Sequence, residues 1–218
     1  AKPEAPSPAD TAAVAAVAAA VEAGISSGKH ATRVAAMLTG LAQRTPGQYE
    51  PQLTALGTLL GADARKPPGK GRCDSTWCWD DHLWAAVEAK SDHTPTGVVP
   101  HKDIRQANDQ LKLLAVDRDR DAPPPGSATV LVSPKPAVHQ DGIDSAEPHV
   151  HLTEPDTVAA LARDAADAWD GILAGRAGRT GSSLRTLVHD ALARHGALPT
   201  QVMDRLTDQP VSPRADAA

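Results

Sequence analysis

The chain has 218 residues, with 22 Lys and Arg against 27 Asp and Glu and a formal net charge of −5. This length is enough for one sizeable domain with extra helices. The hydrophobic fraction of 41% is enough for a core. Because Phe is absent, the large side chains of that core must be Leu, Val, Ile and the four Trp. No apolar run approaches the ~20 residues of a membrane-spanning helix, so we expect no membrane contact and a cytoplasmic location.

The chain is predicted to begin with a flexible leader (1–8) and a helical extension (9–46). A linker-like composition indicates the leader. An Ala-rich helix is expected at about 9–23 and a second helix at about 29–44. The apolar positions expected to face inward on the second helix are Val34, Met37, Leu38 and Leu41.

The next predicted element is a helix that begins near Gly47. Its apolar stripe is formed by Tyr49, Leu53, Leu56 and Leu60. Pro51 suits a first helical turn, and Glu50 lies beside the stripe near the positive end of the helix dipole. That position alone would explain an acidic residue. A basic loop, RKPPGKGR (65–72), then leads to Asp74.

The segment from Arg72 to Ser91 predicts a β-hairpin with acidic residues near its open end. If residues 80–82 form a three-residue loop, Trp79 pairs with Leu83 and Asp74 lies opposite Glu88. A two-residue loop would place the two acids on opposite faces. Strand alternation puts Glu88 and Lys90 on one face. Both faces of the hairpin are largely apolar, which indicates burial, and buried carboxylates are costly without a compensating cation.

The alternation also predicts that Cys73 and Cys78 face opposite sides of their strand and cannot form a disulfide without distortion. Free thiols agree with a reducing compartment. A zinc site that joins these two residues with His82 and His93 has a spacing that matches no compact zinc-binding pattern.

The remaining elements complete an α/β protein with a central mixed sheet of about four strands. A helix with Gln106 carries Ile104, Ala107, Leu111 and Leu114 on one side. A charged connection (117–127) precedes strands at 128–134 and 148–152, a helix from Asp156 to Ala174, and another helix around Leu184–Leu192. Thr200 is predicted to cap a short last helix. We expect helices on the sheet and at both ends, a core at 47–175, a helical appendage at 176–210 and a disordered tail at 211–218.

This order resembles that of the PD-(D/E)xK nuclease superfamily, whose fold is called restriction-endonuclease-like. The family pattern is a glutamate on a first helix, an aspartate entering a strand, (D/E)-x-K on the next strand and often a glutamine on a following helix. The similarity covers roughly residues 45–116, and Cys73 replaces the usual proline before the aspartate. By matching position, it implies a catalytic set of Glu50, Asp74, Glu88 and Lys90, with Gln106 as an additional member.

The resemblance implies a Mg²⁺-dependent deoxyribonuclease in which Mn²⁺ would substitute. Asp74 and Glu88 would hold the metal with the backbone carbonyl of Ala89, and Glu50 is a further candidate ligand. Lys90 would stay protonated and orient water or steady the transition state. In the alternative interpretation, Lys90 forms an ion pair with Glu88 or Asp74 and performs no chemistry.

Basic residues near the hairpin are candidate contacts to DNA phosphates, although basic loops are usually only solvated. They are Arg65, Lys66, Lys70, Arg72, Lys102 and Arg105. The net charge of −5 predicts weak DNA affinity for the chain alone. We therefore expect a helicase or translocase partner in a bacterial defence or repair system. Two other hypotheses remain: a catalytically silent module that holds DNA or docks a protein, and a helical interaction domain with an accidental motif.

Overall fold

The computed structural model describes residues 7–92 and 94–212. Most of the predicted leader and residues 213–218 of the predicted tail lie outside these ranges, as does His93. Within the described ranges there are eight helices and eight strands. The helices are α1 (Pro8–Glu22), α2 (Ser27–Leu41), α3 (Pro46–Leu59), α4 (His101–Asp117), α5 (Gln140–Ser145), α6 (Pro155–Gly175), α7 (Gly181–Arg194) and α8 (Pro199–Leu206). The strands are β1 (Asp63–Arg65), β2 (Ser75–Trp79), β3 (Leu83–Ala89), β4 (Val98–Val99), β5 (Ala128–Val132), β6 (Ala137–Val138), β7 (Val150–Thr153) and β8 (Gln209–Pro210).

Six of these strands form one mixed sheet in the order β1-β2-β3-β5-β7-β8. Strands β1, β2 and β3 are antiparallel, β3, β5 and β7 are parallel, and β8 is antiparallel to β7. The predicted α/β architecture with a mixed central sheet flanked by helices is confirmed. The four expected strands occupy the middle of the sheet. The short edge strands β1 and β8 were not predicted, because three or two residues cannot show a period-two pattern.

The hairpin of β2 and β3 has the predicted register. Trp79 pairs with Leu83 and Ser75 pairs with Val87, so residues 80–82 form the three-residue turn. Asp80 has a φ of 50°, and Asp is one of the few residue types besides Gly that adopt this left-handed conformation readily. Continuing the register by one residue places Asp74 opposite Glu88, as expected.

The prediction that Cys73 and Cys78 face opposite sides is wrong. Both belong to one apolar cluster with Trp84 on the side of the sheet that α4 covers. The reason is that β2 begins at Ser75, so strand alternation does not extend back to residue 73. Both thiols are free and buried.

Helices cover both faces of the sheet. One face carries Trp77, Trp79, Val87 and Val130 and packs in a single core with side chains of α1, α2, α3, α6, α7 and α8. The other face is covered by α4, whose predicted inward residues are all buried: Ile104, Ala107, Leu111 and Leu114. The first core is continuous across residues 46 and 175, the predicted domain limits. No helix in the described ranges is long and apolar enough to cross a membrane.

The predicted cap of the last helix is wrong. Leu198 is the N-cap residue of α8, and Thr200 lies inside the first turn. The Thr200 backbone N–H and hydroxyl instead donate to the carboxylate of Asp10, at 3.0 and 2.9 Å. Asp10 belongs to α1 and is 190 residues away in the chain. Its carboxylate accepts the hydrogen bond of a free backbone N–H at the start of α8, a role that the local sequence had predicted for the Thr200 hydroxyl.

Candidate active site

The site is built where α3 meets the open end of the hairpin. Two tryptophans on β2 fix this helix on the sheet, because their indole N–H groups donate to carbonyls of Leu53 and Leu60 at 3.0 Å each. Gly57 permits the close approach: a Cβ at this position would lie 2.4 Å from Cδ1 of Trp77. The first turns of α3, with Glu50, are thereby held beside the start of β2.

Asp74 precedes β2 and is 7% exposed. Its backbone N–H donates to the carbonyl of Val87 at 2.9 Å, which extends the hairpin ladder. Its Oδ2 accepts a hydrogen bond from the backbone N–H of Ala89 at 2.8 Å, and its Oδ1 accepts one from Lys66 Nζ at 2.5 Å. The side chain therefore bridges the two strands and faces a cation.

Glu88 lies one residue before the end of β3 and is 3% exposed. Its Oε1 accepts hydrogen bonds from Lys90 Nζ at 2.8 Å and from Gln106 Nε2 at 3.0 Å. Its Oε2 is buried without a hydrogen-bond partner in the described residues. Burial raises the pKa of Glu88, and the ammonium of Lys90 only partly opposes this effect. Lys90 and Gln106 thus both bond to Oε1, while Oε2 is left without a hydrogen bond among the described residues.

Lys90 stands between two acidic side chains. Besides Glu88, its Nζ lies 3.9 Å from Oδ1 of Asp103, a buried residue in the first turn of α4. Burial by itself would lower the pKa of Lys90, but the hydrogen bond to Glu88 and the charges of Glu88 and Asp103 outweigh it and leave the pKa raised. Lys90 is therefore an ammonium at neutral pH.

Glu50 and Lys66 complete the cluster on the side of α3. Lys66 Nζ lies 3.4 Å from Oε2 of Glu50, and the Lys66 side chain is 53% exposed. Burial raises the pKa of Glu50, and the neighbouring charge of Asp74 raises it further while Lys66 opposes them. Glu50 and Asp74 are thus close enough to interact directly, and the ammonium of Lys66 compensates both.

The structure brings together the five residues of the predicted catalytic set. Asp74 contacts Ala89 and Lys66, Lys66 contacts Glu50, and Glu88 contacts Lys90 and Gln106. Three further residues contribute to the site in ways that were not predicted. Lys66 was expected to bind DNA phosphate, yet it contacts two acids of the site. Asp103 was not considered, although its spacing of three residues from Gln106 puts both on one helix face.

The third unpredicted contribution comes from Gln110 on α4, which is 2% exposed. Its Oε1 accepts a hydrogen bond from the backbone N–H of Cys73 at 2.7 Å, and its Nε2 donates one to the carbonyl of Gly71 at 2.9 Å. These two bonds hold the loop that delivers Asp74 to the site. A single Gln in a helix carries no sequence signal for such a role.

The predicted phosphate-binding residues divide into two groups. Three form ion pairs within the protein: Lys66 with Glu50 and Asp74, Arg65 with Asp63, and Arg72 with Asp117. The other three have exposed side chains: Lys70, Lys102 and Arg105. Arg65 also lies in strand β1 rather than in a loop, so the basic segment is shorter than predicted.

The donor atoms at the site suit a hard cation such as Mg²⁺, because they are carboxylate oxygens and Glu88 Oε2 is buried without a partner in the described residues. Within residues 7–92 and 94–212, no group of three His, Cys, Asp or Glu side chains is arranged to hold a metal ion. The negative charge of Asp74 acts on both Glu88 and Glu50 and raises the pKa of each. Lys66 occupies Asp74 Oδ1 and would have to move for that oxygen to bind a metal.

No protein-family model, curated protein or solved structure matches this chain. The resemblance to the PD-(D/E)xK superfamily therefore depends on the motif residues and their arrangement alone. The fold is of the α/β class, with a mixed sheet flanked by helices.

Proposed function

We propose that this chain is a metal-dependent nuclease of the PD-(D/E)xK type, with a restriction-endonuclease-like core, that hydrolyses phosphodiester bonds in DNA. The observation that carries the proposal is the convergence of Asp74, Glu88 and Lys90 at the open end of one buried hairpin. Glu50 and Gln106 reach the same place from helices on the two sides of the sheet. Buried carboxylates are costly, and a divalent cation is the compensation that such an arrangement favours.

The chemistry matches the requirements of phosphodiester hydrolysis. The negative charge of the diester resists attack, so the site must supply positive charge and an aimed water molecule. Asp74 and Glu88 would hold Mg²⁺, with the backbone carbonyl of Ala89 as a further ligand. A bound Mg²⁺ lowers the pKa of a coordinated water and stabilises charge that develops on the phosphate.

The remaining residues of the site would orient the water molecule, the phosphate and the carboxylate of Glu88. Lys90 is held as an ammonium by Glu88 and Asp103, so it donates hydrogen bonds to water or to a phosphate oxygen and does not act as a base at neutral pH. Gln106 fixes the Oε1 atom of Glu88 and leaves Oε2 directed elsewhere. Glu50 sits beside Asp74 and can accept a hydrogen bond from a metal-bound water.

The test is cleavage of supercoiled and linear DNA with Mg²⁺ or Mn²⁺ by four variants and the wild type. Asp74→Asn and Lys90→Ala should each lose at least about a hundredfold in rate, because a metal ligand and the transition-state cation are removed. Asp109→Asn and Lys112→Ala are matched controls on the exposed side of α4 and should cut like the wild type. Equal cutting by all five proteins would indicate a contaminating nuclease and would reject the proposal.

A second candidate function is a silent module of the same fold that holds DNA or docks a protein. It is favoured by the Lys66 ammonium, which already binds both Asp74 and Glu50 and reduces their availability to a metal. A folded wild type that retards DNA in a gel without cutting it, equally well with Asp74→Asn, would support this function. Loss of binding at raised salt would identify the interaction as phosphate contact.

We also propose that a larger partner, such as a helicase or translocase, delivers the DNA. The net charge of −5 opposes DNA binding, and three of the six candidate phosphate contacts are ion-paired internally. Fluorescence anisotropy with a labelled duplex should therefore give weak binding at physiological salt. Tight binding by the isolated chain would remove the reason for a partner.

A further inference from the structure

A half-open cavity of about 410 Å³ lies between α2, α3 and α6, away from the acidic cluster. Its volume is in the range of small-molecule sites, roughly 300–1,000 Å³. Most of the wall is apolar, with Val34, Met37, Ala55, Leu59 and Trp169 among its residues. None of the proposed catalytic residues lines this cavity, so its contents are independent of the nuclease proposal.

One polar group in this cavity is unusual. His30 on α2 is 3% exposed, and its Nε2 atom is buried without a hydrogen-bond partner in the described residues. Buried polar atoms in native proteins nearly always have partners, so such an atom indicates a missing one. The neighbouring Trp169 is not the hydrogen-bond partner of His30 Nε2, because its indole N–H donates to the carbonyl of Leu59 at 2.7 Å.

The His30 ring also provides a flat surface together with Trp169. The two ring centroids are 4.9 Å apart with an interplanar angle of 28°, which is a stacked arrangement. Burial lowers the pKa of His30, and the opposing charges of Asp170 and Arg33 leave the shift downward. The imidazole is therefore neutral at pH 7 and presents either a donor or an acceptor at Nε2, depending on its tautomer.

We propose that this cavity binds a small aromatic molecule that carries a hydroxyl group. The aromatic body would pack against the apolar wall and the stacked rings of His30 and Trp169. The hydroxyl would bond to His30 Nε2, and because a hydroxyl both donates and accepts, it suits either tautomer. An anionic ligand is disfavoured because most of the wall is apolar and because, at His30, the negative charge of Asp170 acts more strongly than the positive charge of Arg33.

The experiment compares two probes of one shape, p-cresol and p-xylene, by NMR titration of the isotope-labelled full chain. A methyl group replaces the hydroxyl in p-xylene, so the two probes have nearly the same shape, and p-cresol regains the cost of removing its hydroxyl from water only if it forms the proposed hydrogen bond. We expect p-cresol to bind more tightly by about fivefold, the effect of one hydrogen bond. Shifts should concentrate on His30, Trp169 and Ala55. Binding of neither probe, or shifts spread over the surface, would overturn the proposal.

Two variants separate the roles of the wall and the histidine. His30→Phe keeps a ring beside Trp169 but removes Nε2, so the preference for p-cresol should vanish while p-xylene still binds. Ala55→Phe fills the cavity from α3 and should abolish binding of both probes. The backbone spectrum of each variant establishes that it is folded. A folded His30→Phe protein that retains the preference for p-cresol would show that the hydroxyl bonds elsewhere, and the assignment would be wrong.

Discussion

The ammonium of Lys66 lies 2.5 Å from Oδ1 of Asp74, the oxygen that a metal at the proposed site would need. The ion pair is half-buried, because the Lys66 side chain is 53% exposed and the Asp74 side chain is 10% exposed. Solvent screens the lysine end of the pair, so a divalent cation, which carries twice the charge, can displace Lys66. The lysine thereby balances the charge of Asp74 and Glu50 when no metal is bound.

Substituting Lys66→Met should therefore increase the affinity for Mn²⁺ about two- to fivefold, because binding no longer has to break the ion pair. Isothermal titration calorimetry measures this directly and does not depend on activity. Lys70→Met is the matched control, since it removes a positive charge from the same loop at an exposed position. If Asp74→Asn loses Mn²⁺ binding while Lys66→Met binds like the wild type, Lys66 does not compete with the metal. If Asp74→Asn binds Mn²⁺ like the wild type, the metal site itself is wrong.

The packing of α3 on the hairpin depends on the absence of a side chain at Gly57. A Cβ there would lie 2.4 Å from Trp77 Cδ1 and 2.8 Å from the Cβ of Ala64. Gly57→Ala should destabilise the protein by about 1–3 kcal/mol through overpacking. Gly47→Ala is the control in the same helix, with no atom within 4 Å, and should be neutral or stabilising by up to ~1 kcal/mol. Urea unfolding followed by tryptophan fluorescence gives both values, and equal stability of the two variants would contradict this account.

The hairpin and its acidic end could be predicted from sequence because period-two alternation and turn length together fix a register. That reasoning placed Trp79 against Leu83 and, by continuation, Asp74 against Glu88. Alternation and turn length are local signals that neighbouring residues reinforce. Gln106 was assigned to the site by the family resemblance alone, and in the structure its Nε2 donates to Glu88.

The rest of the site depends on contacts that sequence does not encode locally. Lys66 looked like a phosphate contact because it lies in a basic loop, but its partners Glu50 and Asp74 come from two other elements. The error about Cys73 arose from extending alternation beyond the end of β2. Asp10 serves the terminus of α8 from the opposite end of the chain, and no short-range pattern indicates such a pair.

The buried thiols allow a direct test of the packing between the sheet and α4. Cys73 and Cys78 are 2% and 1% exposed, and burial raises the pKa of each to about 12. Because the thiolate is the reactive form, alkylation by iodoacetamide should be about a thousandfold slower than for an ordinary cysteine. Mass spectrometry should find no label on the native protein and two labels after unfolding in urea. Ser182→Cys supplies an exposed control thiol on α7, and native labelling of Cys73 at a comparable rate would show that the cluster with α4 is open.

The burial of His30 predicts how stability changes with pH. Its pKa is lowered in the folded state by burial, with Asp170 opposing and Arg33 assisting, so the unfolded chain binds the proton more readily. Where the unfolded state holds more protons, the free energy of unfolding rises with pH. The contribution of His30 is therefore complete above its unfolded pKa of about 6.5 and is lost as pH falls towards its lower folded pKa.

His30→Phe should flatten the dependence of unfolding free energy on pH below about 6.5, by at most about 1.4 kcal/mol per pH unit for one proton. Part of the slope should remain, because burial also lowers the pKa of His149. Urea unfolding at a series of pH values measures the slope. His189→Phe, at a half-exposed position of α7, is the control for replacing a histidine by phenylalanine. If His30→Phe follows the wild-type curve, the pKa of His30 is the same in the folded and unfolded states, and burial does not lower it as this account requires.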